Sequence, residues 1–368
     1  MLKKYMIRSR VYLVIAILGL ITAWTLNGIA SVSGQNYLTA WFGSAVDWVL
    51  SVDLLLVGVA VVTLMLVEAK RLGMKRVWLY LVLSGVTAIA FTFPLFMAFR
   101  ERKLLELRLA AGKLERFEFD KHTVDIWVPK DLNQETPVLI MHDGRNIFDE
   151  KDSYNGKTWE ILNAIKDELE GPQPLVISVW GLSDETRIRE LSPQSISDKH
   201  QDIWDSFPDE YKTTGTQSFG DAYVSLISDA ILPFALEKYG ISHDPKRTAI
   251  IGASMGGLIS LYAMAQKPNL YGTAICFSTH WLFGGETSVK ELIGMLPSGT
   301  DHRVWTDRGT LDLDANYGPF HASATKALEA KGFESPGSLV SATYPNTGHH
   351  EKYWSKRVGD ALNWWLTS

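Results

Sequence analysis

The chain has 368 residues, enough for two structural units, and a formal net charge of −5 at pH 7. This mild acidity argues against a nucleic-acid-binding protein, which would normally present a basic face. The single cysteine, Cys276, excludes an intrachain disulfide, and its apolar neighbours favour a buried side chain.

The first part of the chain is predicted to be a membrane region. Apolar stretches occupy residues 11–30, 48–67 and 77–99, and each is close to the roughly 20 residues that a membrane-spanning helix needs. The charged, Leu-rich segment that follows the third stretch contains no Pro and favours a helical stalk. We therefore predict three transmembrane helices and a stalk within residues 1–110, followed by a soluble domain over residues 111–368.

The distribution of basic residues predicts the orientation in the membrane, because cytoplasmic loops are enriched in Lys and Arg. Residues 31–47 contain none. The N-terminus and the loop between the second and third stretches each contain four: Lys3, Lys4, Arg8 and Arg10, then Lys70, Arg71, Lys75 and Arg76. We expect an integral protein of the inner membrane with an extracytoplasmic soluble domain, although the basic residues just after the third stretch favour the opposite side.

The soluble part alternates between short apolar runs and amphipathic helical patterns. This alternation is typical of a mostly parallel sheet with helices on both faces. Residues 181–220 look irregular and could form a lid or pocket wall. Predicted strands are 114–119, 122–128, 137–142, 174–180, 247–252, 272–278, 302–306 and 338–344. Predicted helices are 158–169, 221–238, 255–267, 287–295, 320–332 and 350–366. Candidate aromatic pocket residues are Trp159, Trp204, Phe207 and Tyr211.

The most informative motif is Gly-x-Ser-x-Gly at residues 252–256, which lies between a predicted buried strand and a predicted helix. This is the context of a nucleophile elbow, a strained turn that lifts a serine hydroxyl above the sheet. The motif predicts an α/β-hydrolase fold with Ser254 as nucleophile. The backbone N–H of Met255 would then contribute to the oxyanion hole.

A serine nucleophile needs a base, and in α/β-hydrolases the histidine follows the last strand. The loop after the last predicted strand contains His349 and His350. We favour His349 because it directly follows Gly348, whereas His350 is placed to begin the last helix.

The orienting acid should follow the predicted strand 302–306. Asp307 ends that strand, where a turn-capping role is the simpler interpretation. Asp312 and Asp314 lie in the following loop, and either could reach a histidine. The residues alone do not separate these two.

Four ordered segments resemble the esterase family that includes enterochelin esterases, feruloyl esterases, S-formylglutathione hydrolases and mycolyltransferases. The resemblance covers about residues 113–368, and the membrane region lies outside it. The four segments are residues 137–148 (similar to "LLDGQNLF"), 186–193 (similar to "NRxxEYSP"), 252–257 ("GxSMGG") and 348–354 ("GHxxxxW").

The resemblance implies that Ser254 is the nucleophile, that His349 is the base and that the backbone N–H of Arg145 is the second oxyanion donor. Among relatives the acid varies: a "GTND" pattern points to Asp312 and a "GTxxLDA" pattern to Asp314. We choose Asp312 and keep Asp314 as the alternative.

The predicted function is a membrane-anchored serine esterase that acts on a small-molecule or lipid ester. One alternative is an acyltransferase that passes the acyl group to a sugar or lipid alcohol. A second is a non-catalytic membrane-anchored binding module. The sequence contains no cofactor motif and no metal-binding spacing, so we expect neither a cofactor nor a metal. It leaves the oligomeric state and the natural substrate open.

Overall fold

The computed structural model describes residues 2–206 and 215–367. The chain divides into two compact units, Met1–Ala111 and Gly112–Ser368.

The first unit is helical. Helices α1 (Leu2–Val32), α2 (Tyr37–Phe42) and α3 (Ala45–Arg71) follow one another, and a capping box between Ser44 and Asp47 begins α3. Among the described residues, two helical segments are long and apolar enough to cross a membrane, Tyr5–Val32 and Ala45–Arg71.

The third apolar stretch is not one continuous helix, so the prediction of three spanning helices is wrong in its count. It is divided between α4 (Trp78–Val86) and α5 (Ile89–Ala111). The break falls at Thr87, which has φ −110° and ψ −88°. The hydroxyl and the N–H of Thr87 both donate to the Leu83 carbonyl. Hydropathy does not record the backbone torsions of single residues, so the stretch looks continuous in the sequence.

In the second unit, eight strands of the described residues form one sheet in the order β1-β2-β4-β3-β5-β6-β7-β8. Both pairs that include β2 are antiparallel, and the pairs from β4 to β8 are parallel. The strands are β1 (Gly112–Phe119), β2 (His122–Pro129), β3 (Val138–Met141), β4 (Leu175–Val179), β5 (Thr248–Ala253), β6 (Thr273–Phe277), β7 (Arg303–Arg308) and β8 (Leu339–Thr343). Each corresponds to a predicted strand.

Helices follow most strands and cover the sheet, which confirms the predicted α/β-hydrolase fold. They are α6 (Ile161–Asn163), α7 (Asp184–Glu190), α8 (Gln194–Lys199), α9 (Gly220–Ser225), α10 (Leu232–Tyr239), α11 (Met255–Gln266), α12 (Gly285–Met295), α13 (Gly318–Ala330), α14 (Glu351–Trp354) and α15 (Val358–Leu366). π-Helical segments, Ala164–Glu168 and Leu226–Ile231, continue α6 and join α9 to α10.

The segment predicted to be irregular, residues 181–220, contains α7, α8 and a 3₁₀ turn at Gln201–Ser206 in its described part. Trp204 is buried and packs edge-on against Phe283. Trp159 is buried between Phe277 and Trp354. These two candidate pocket residues therefore pack in the interior, and the other two, Phe207 and Tyr211, lie outside the described residues.

The parallel strands bring the segments of interest to one edge of the sheet. The strands β3, β5, β6, β7 and β8 all run in the same direction, so their carboxyl ends share that edge, where open α/β sheets place their sites. Ser254 directly follows β5, and Ser278 directly follows β6. The candidate acid loop follows β7, and the histidine loop follows β8.

Candidate active site

Ser254 lies at a strained turn between a buried strand and a buried helix. Its backbone has φ 59° and ψ −124°, a conformation that is costly for a residue with a side chain. A Cβ added to Gly252 would lie 2.5 Å from the backbone of Gly256. Glycine at these positions therefore allows the chain to turn sharply at Ser254, as a nucleophile elbow requires.

Two groups of backbone amides lie next to this turn. Met255 begins α11, and Arg145 lies in the 3₁₀ turn Gly144–Asn146 that follows β3. Amides in the first turn of a helical segment have no carbonyl partner within that segment. The two turns are close, because a Cβ added to Gly256 would lie 3.5 Å from Cβ of His142. Both predicted oxyanion donors are therefore at the same edge of the sheet.

His349 is bonded to Asp314. Its Nδ1 lies 2.6 Å from Oδ1 of Asp314, whose side chain is fully buried, while the histidine side chain keeps 16% exposure. The ring of His349 packs edge-on against Trp354, with centroids 5.2 Å apart. His350 instead caps α14 by accepting the Lys352 N–H, as its predicted position at the helix start implies.

The choice of Asp312 over Asp314 does not agree with this geometry. Both lie in the 3₁₀ turn Asp312–Tyr317, where residues two apart point to different sides because the turn repeats every three residues. Asp312 adopts a positive φ of 53°. Its carboxylate lies against the backbone of Gly348, since a Cβ added there would be 1.9 Å from Oδ2. Asp314 is the carboxylate directed to the imidazole.

Asp314 accepts two further hydrogen bonds. The Ser278 hydroxyl and the Gly309 N–H each donate to Oδ2 at 2.6 Å. Burial alone would raise the pKa of Asp314, but the bonds from His349 and Ser278 hold it below its ordinary value. The carboxylate is therefore ionised and fixed from three directions.

The direction of the Ser278 bond is determined by its other partners. Trp354 Nε1 lies 3.0 Å and Arg357 Nη2 3.1 Å from the Ser278 oxygen. Indole and guanidinium groups only donate, and a hydroxyl has one proton and two acceptor positions. With both acceptor positions filled, the proton of Ser278 must be donated to Asp314.

Behind this bond lies a buried ion pair that the sequence did not reveal. Arg357 Nη2 lies 2.8 Å from Oδ1 of Asp307, and both residues are almost fully buried. Burial raises the pKa of Asp307 to about 6 despite the attraction of Arg357. The turn-capping interpretation of Asp307 is therefore wrong, because the residue lies within β7. No local motif marks this pair, whose partners are 50 positions apart.

Tyr317 packs against His349. Its ring lies edge-on to the His349 ring, with centroids 5.8 Å apart. Its hydroxyl lies 2.7 Å from Nδ1 of His280, and the His280 N–H donates to the Ser254 carbonyl at 3.1 Å. The sequence did not indicate this buried tyrosine, which lies beside the proposed base.

A second charged pair lies beside the loop that carries Arg145. Arg187 donates two hydrogen bonds to Asp143, one of them at 2.6 Å from Nη2. Asp143 has a positive φ of 56° and immediately precedes the 3₁₀ turn. This ion pair connects residues 137–148 with residues 186–193, two of the four segments that carry the resemblance. The resemblance therefore marked both partners in the sequence.

His142 is buried and hydrogen-bonded within the protein. His142 Nδ1 lies 3.0 Å from the Tyr223 hydroxyl, and burial lowers the pKa of His142 to about 4. It is therefore a neutral, internally bonded imidazole. Across the described residues, no group of three or more His, Cys, Asp or Glu side chains is arranged to hold a metal ion.

The fold and the residues gathered at its carboxyl edge define the hydrolase class of α/β proteins. The chain belongs to an esterase family: residues 120–364 match the family described as "Putative esterase". Residues 11–102 match a second family, described as "Protein of unknown function DUF2834".

Known proteins are similar to the second unit. "Uncharacterized protein YbbA" of Bacillus subtilis (strain 168) is 23% identical over 266 residues, which cover 69% of this chain and 96% of that protein. The BES protein from Bacillus cereus has a TM-score of 0.51 at 14% identity, over 70% of this chain and 96% of that one. The enterobactin hydrolase IroE in complex with DFP has a TM-score of 0.50 at 17% identity, with the same coverage.

The enterobactin esterase FES from Shigella flexneri, in the presence of enterobactin, has a TM-score of 0.50 at 16% identity. The match covers 70% of this chain but only 58% of that protein. At these identities the structural likeness shows the fold alone.

Proposed function

We propose that the chain is a membrane-anchored serine esterase that cleaves a small-molecule or lipid ester through an acyl-enzyme on Ser254. In this proposal residues 1–110 hold the protein in the inner membrane and residues 111–368 are the catalytic domain. The observation that carries the proposal is the 2.6 Å bond between His349 and buried Asp314 at the edge where the strained Ser254 turn lies.

In the proposed reaction Ser254 attacks the ester carbonyl while His349 takes its proton. Because Nδ1 of His349 is bonded to Asp314, Nε2 is the nitrogen that would act as base. Asp314 stabilises the imidazolium that forms. The amides of Met255 and Arg145 would hold the oxyanion. His349 then protonates the leaving alcohol, and water attacks the acyl-enzyme to release the acid.

Membrane anchoring is supported by the surface of the first unit. Large apolar side chains of α1 and α3 are exposed along their length, for example Leu18 (58%), Trp24 (62%) and Leu56 (65%). The core helix of a soluble protein would bury such side chains, and apolar patches of this extent mark contact with a partner or a membrane. The basic residues of the N-terminus and of the segment after α3 favour the cytoplasmic side for both. An extracytoplasmic catalytic domain therefore requires the third apolar stretch, α4 with α5, to cross the membrane once more.

The activity is tested with the full-length chain purified in detergent and a panel of p-nitrophenyl esters of different acyl lengths. We expect hydrolysis by the wild type, loss of at least about 10³-fold in Ser254→Ala, and covalent labelling of Ser254 by a fluorophosphonate. Undiminished hydrolysis by Ser254→Ala would exclude the mechanism. Product analysis with and without an added alcohol separates hydrolysis from acyl transfer.

Anchoring and sidedness are tested in cells. The proposal expects the chain to stay with the membrane pellet at alkaline pH and the catalytic domain to be cleaved by external protease once the outer barrier is opened. Release of the chain from the membrane at alkaline pH would contradict anchoring. Protection of the catalytic domain from external protease would mean that this domain lies on the cytoplasmic side.

A further inference from the structure

We propose that Glu351 is a positioning residue that joins the turn with the second oxyanion donor to the loop with the base. The inference rests on the proposed esterase function and adds a residue to its supporting structure. The turn is Gly144–Asn146, here named the oxyanion turn, and it contains Arg145. Glu351 lies two positions after His349. Neither the motifs nor the resemblance to known esterases assigned a role to this glutamate.

The carboxylate of Glu351 accepts a hydrogen bond at each of its oxygens. Nδ2 of Asn146 donates to Oε1 at 3.3 Å, and Nδ2 of Asn155 donates to Oε2 at 3.2 Å. Glu351 is only 4% exposed, and burying a carboxylate costs free energy unless its oxygens are bonded. The two donors lie 205 and 196 positions earlier in the chain. The glutamate therefore ties the segment after β3 to the segment after β8.

The orientation of the Asn146 amide is determined by its other partner. The Tyr154 N–H donates to Oδ1 of Asn146 at 3.0 Å, so Nδ2 is the atom that faces Glu351. His350 Nδ1 also lies 3.3 Å from Oε2 of Glu351. That nitrogen accepts the Lys352 N–H and so has no proton to donate. The two asparagines are therefore the donors that hold this carboxylate.

The oxyanion turn is fixed at both of its ends. At its start, a Cβ added to Gly144 would lie 2.8 Å from the backbone of Ser178, so the turn packs directly on β4. At its end, Asn146 is bonded to Glu351. The N–H of Arg145 lies between these two points. An oxyanion donor acts only when it is aimed at the position where charge develops, at about 2.7–3.1 Å, so this support bears directly on catalysis.

The proposed reaction needs the donor and the base at the same moment. As His349 takes the proton of Ser254, the amide of Arg145 must face the oxygen on which charge develops. These groups lie on different loops, and the bonds of Glu351 set the distance between the loops. Loosening that link should weaken binding of the transition state more than binding of the substrate, because only the transition state uses both groups fully.

The test compares ester hydrolysis by the full-length wild type and Glu351→Gln. Glutamine keeps the shape of the side chain, but its amide nitrogen would face an asparagine nitrogen, so one bond becomes a contact between two donors. We expect kcat to fall about tenfold, less than the loss of about 10²- to 10³-fold when an oxyanion donor is removed, with KM changed less than about twofold.

Phenylboronic acid gives a readout of the oxyanion turn itself. It forms a tetrahedral adduct with a nucleophilic serine, and one oxygen of the adduct mimics the oxyanion. Transition-state analogues lose affinity when transition-state contacts are lost, so inhibition of Glu351→Gln should weaken in step with kcat. Wild-type inhibition by the boronate alongside a reduced kcat would overturn the positioning role.

A second substitution reverses the polarity of one bond. Asn155→Asp alone places two carboxylates against each other and should lower kcat about as much as Glu351→Gln. In the double variant the new glutamine amide can donate to the new aspartate, while its oxygen still accepts from Asn146. Most of the lost kcat should therefore return, as expected for coupled residues. Losses that multiply in the double variant would overturn the inference.

Asn363→Asp is the matched control, because the Asn363 side chain also joins distant segments. It donates to the Glu168 carbonyl and accepts the Glu170 N–H, both at 2.8 Å, before the amino end of β4. The substitution should lower the melting temperature about as much as Asn155→Asp and leave kcat unchanged. A parallel loss of kcat would mean a general structural effect and would overturn the assignment.

Asn155→Ala is the milder variant if Glu351→Gln does not fold. It removes one bond and leaves Glu351 bonded to Asn146, so kcat should fall about threefold. Wild-type kcat in Asn155→Ala and in every folded Glu351→Gln preparation would overturn the inference. Ser254→Ala in the same assay tests the esterase proposal separately: if that variant is inactive, the esterase proposal survives whatever the result at Glu351.

Discussion

Replacing Ser278 by Ala tests whether its hydrogen bond holds Asp314, the proposed acid, in position. Ser278 itself is not proposed to contact the substrate. The hydroxyl donates to Asp314 and accepts from Trp354 and Arg357. Alanine keeps the left-handed backbone (φ 43°) about as well as serine does, so the change isolates the three hydrogen bonds.

The cost in stability follows from those bonds. Loss of the donor to an ionised carboxylate costs about 1.5–3 kcal/mol. The indole N–H of buried Trp354 loses its described acceptor, for about 1–3 kcal/mol, whereas Arg357 keeps its bond to Asp307. The sum is about 2.5–6 kcal/mol, which corresponds to a fall in melting temperature of roughly 5–20 °C for a domain of this size.

The expected cost in activity is larger than a stability effect alone would give. With Ser278 absent, Asp314 keeps the bonds from His349 and Gly309 but loses one of three restraints. A catalytic imidazole that moves by about 1 Å can cost about 10²-fold in rate. We therefore expect kcat for p-nitrophenyl ester hydrolysis to fall 10- to 100-fold, measured well below the melting temperature of the variant.

Ser228→Ala is the control, since Ser228 is a buried serine whose hydroxyl bonds Tyr271 outside the site. It should lose only about 1 kcal/mol and keep wild-type kcat. The reasoning is refuted if Ser278→Ala retains wild-type kcat, or if its melting temperature falls no further than that of Ser228→Ala.

Two further predictions concern the carboxylates. Asp314→Asn should lower kcat about 10³- to 10⁴-fold, because an amide reverses the hydrogen bond that orients His349, whereas Asp312→Asn should have a small effect; a larger loss in Asp312→Asn would restore the other assignment. Since burial raises the pKa of Asp307 to about 6, the folded chain releases this proton at higher pH than the unfolded chain, whose Asp titrates near about 3.9. The stability of wild type relative to Asp307→Asn should therefore fall between about pH 4 and 6 and be level above, as measured by thermal unfolding; a difference that rises with pH over this range would contradict the assigned shift.

Much of the fold was predictable because its signals are local. Buried parallel strands appear as continuous apolar runs, and each predicted strand is present. The turn at Ser254 was predictable for the same reason, since a strand, Gly-x-Ser-x-Gly and a helix are contiguous. The break at Thr87 was not, because hydropathy records how apolar a segment is and not the backbone torsions of one residue within it.

The sequence narrowed the acid that orients His349 to two residues but did not distinguish between them. Asp312 and Asp314 lie in the same short loop and have similar neighbours in the sequence. Their side chains point in different directions because of their positions in a 3₁₀ turn that begins with a left-handed residue at 312. That phase is set by the packing of the neighbouring loops, among them the one with Gly348. The resemblance to known esterases did not supply it, because relatives differ in the position of the acid.

The residues that sequence reasoning missed share a physical property: each acts through buried polar bonds between distant segments. Ser278 meets Asp314 and Arg357 across 36 and 79 positions. Burying such groups costs free energy unless donors and acceptors are matched, so the bonds made by Ser278, Asp314 and Arg357 restrict how the loops at this edge can be arranged. The proposed catalytic residues lie on those loops rather than on the strands. Their geometry is therefore fixed by the matching of hydrogen bonds behind them, and changes at Ser278, Arg357 or Tyr317 should disturb the site while the apolar core remains intact.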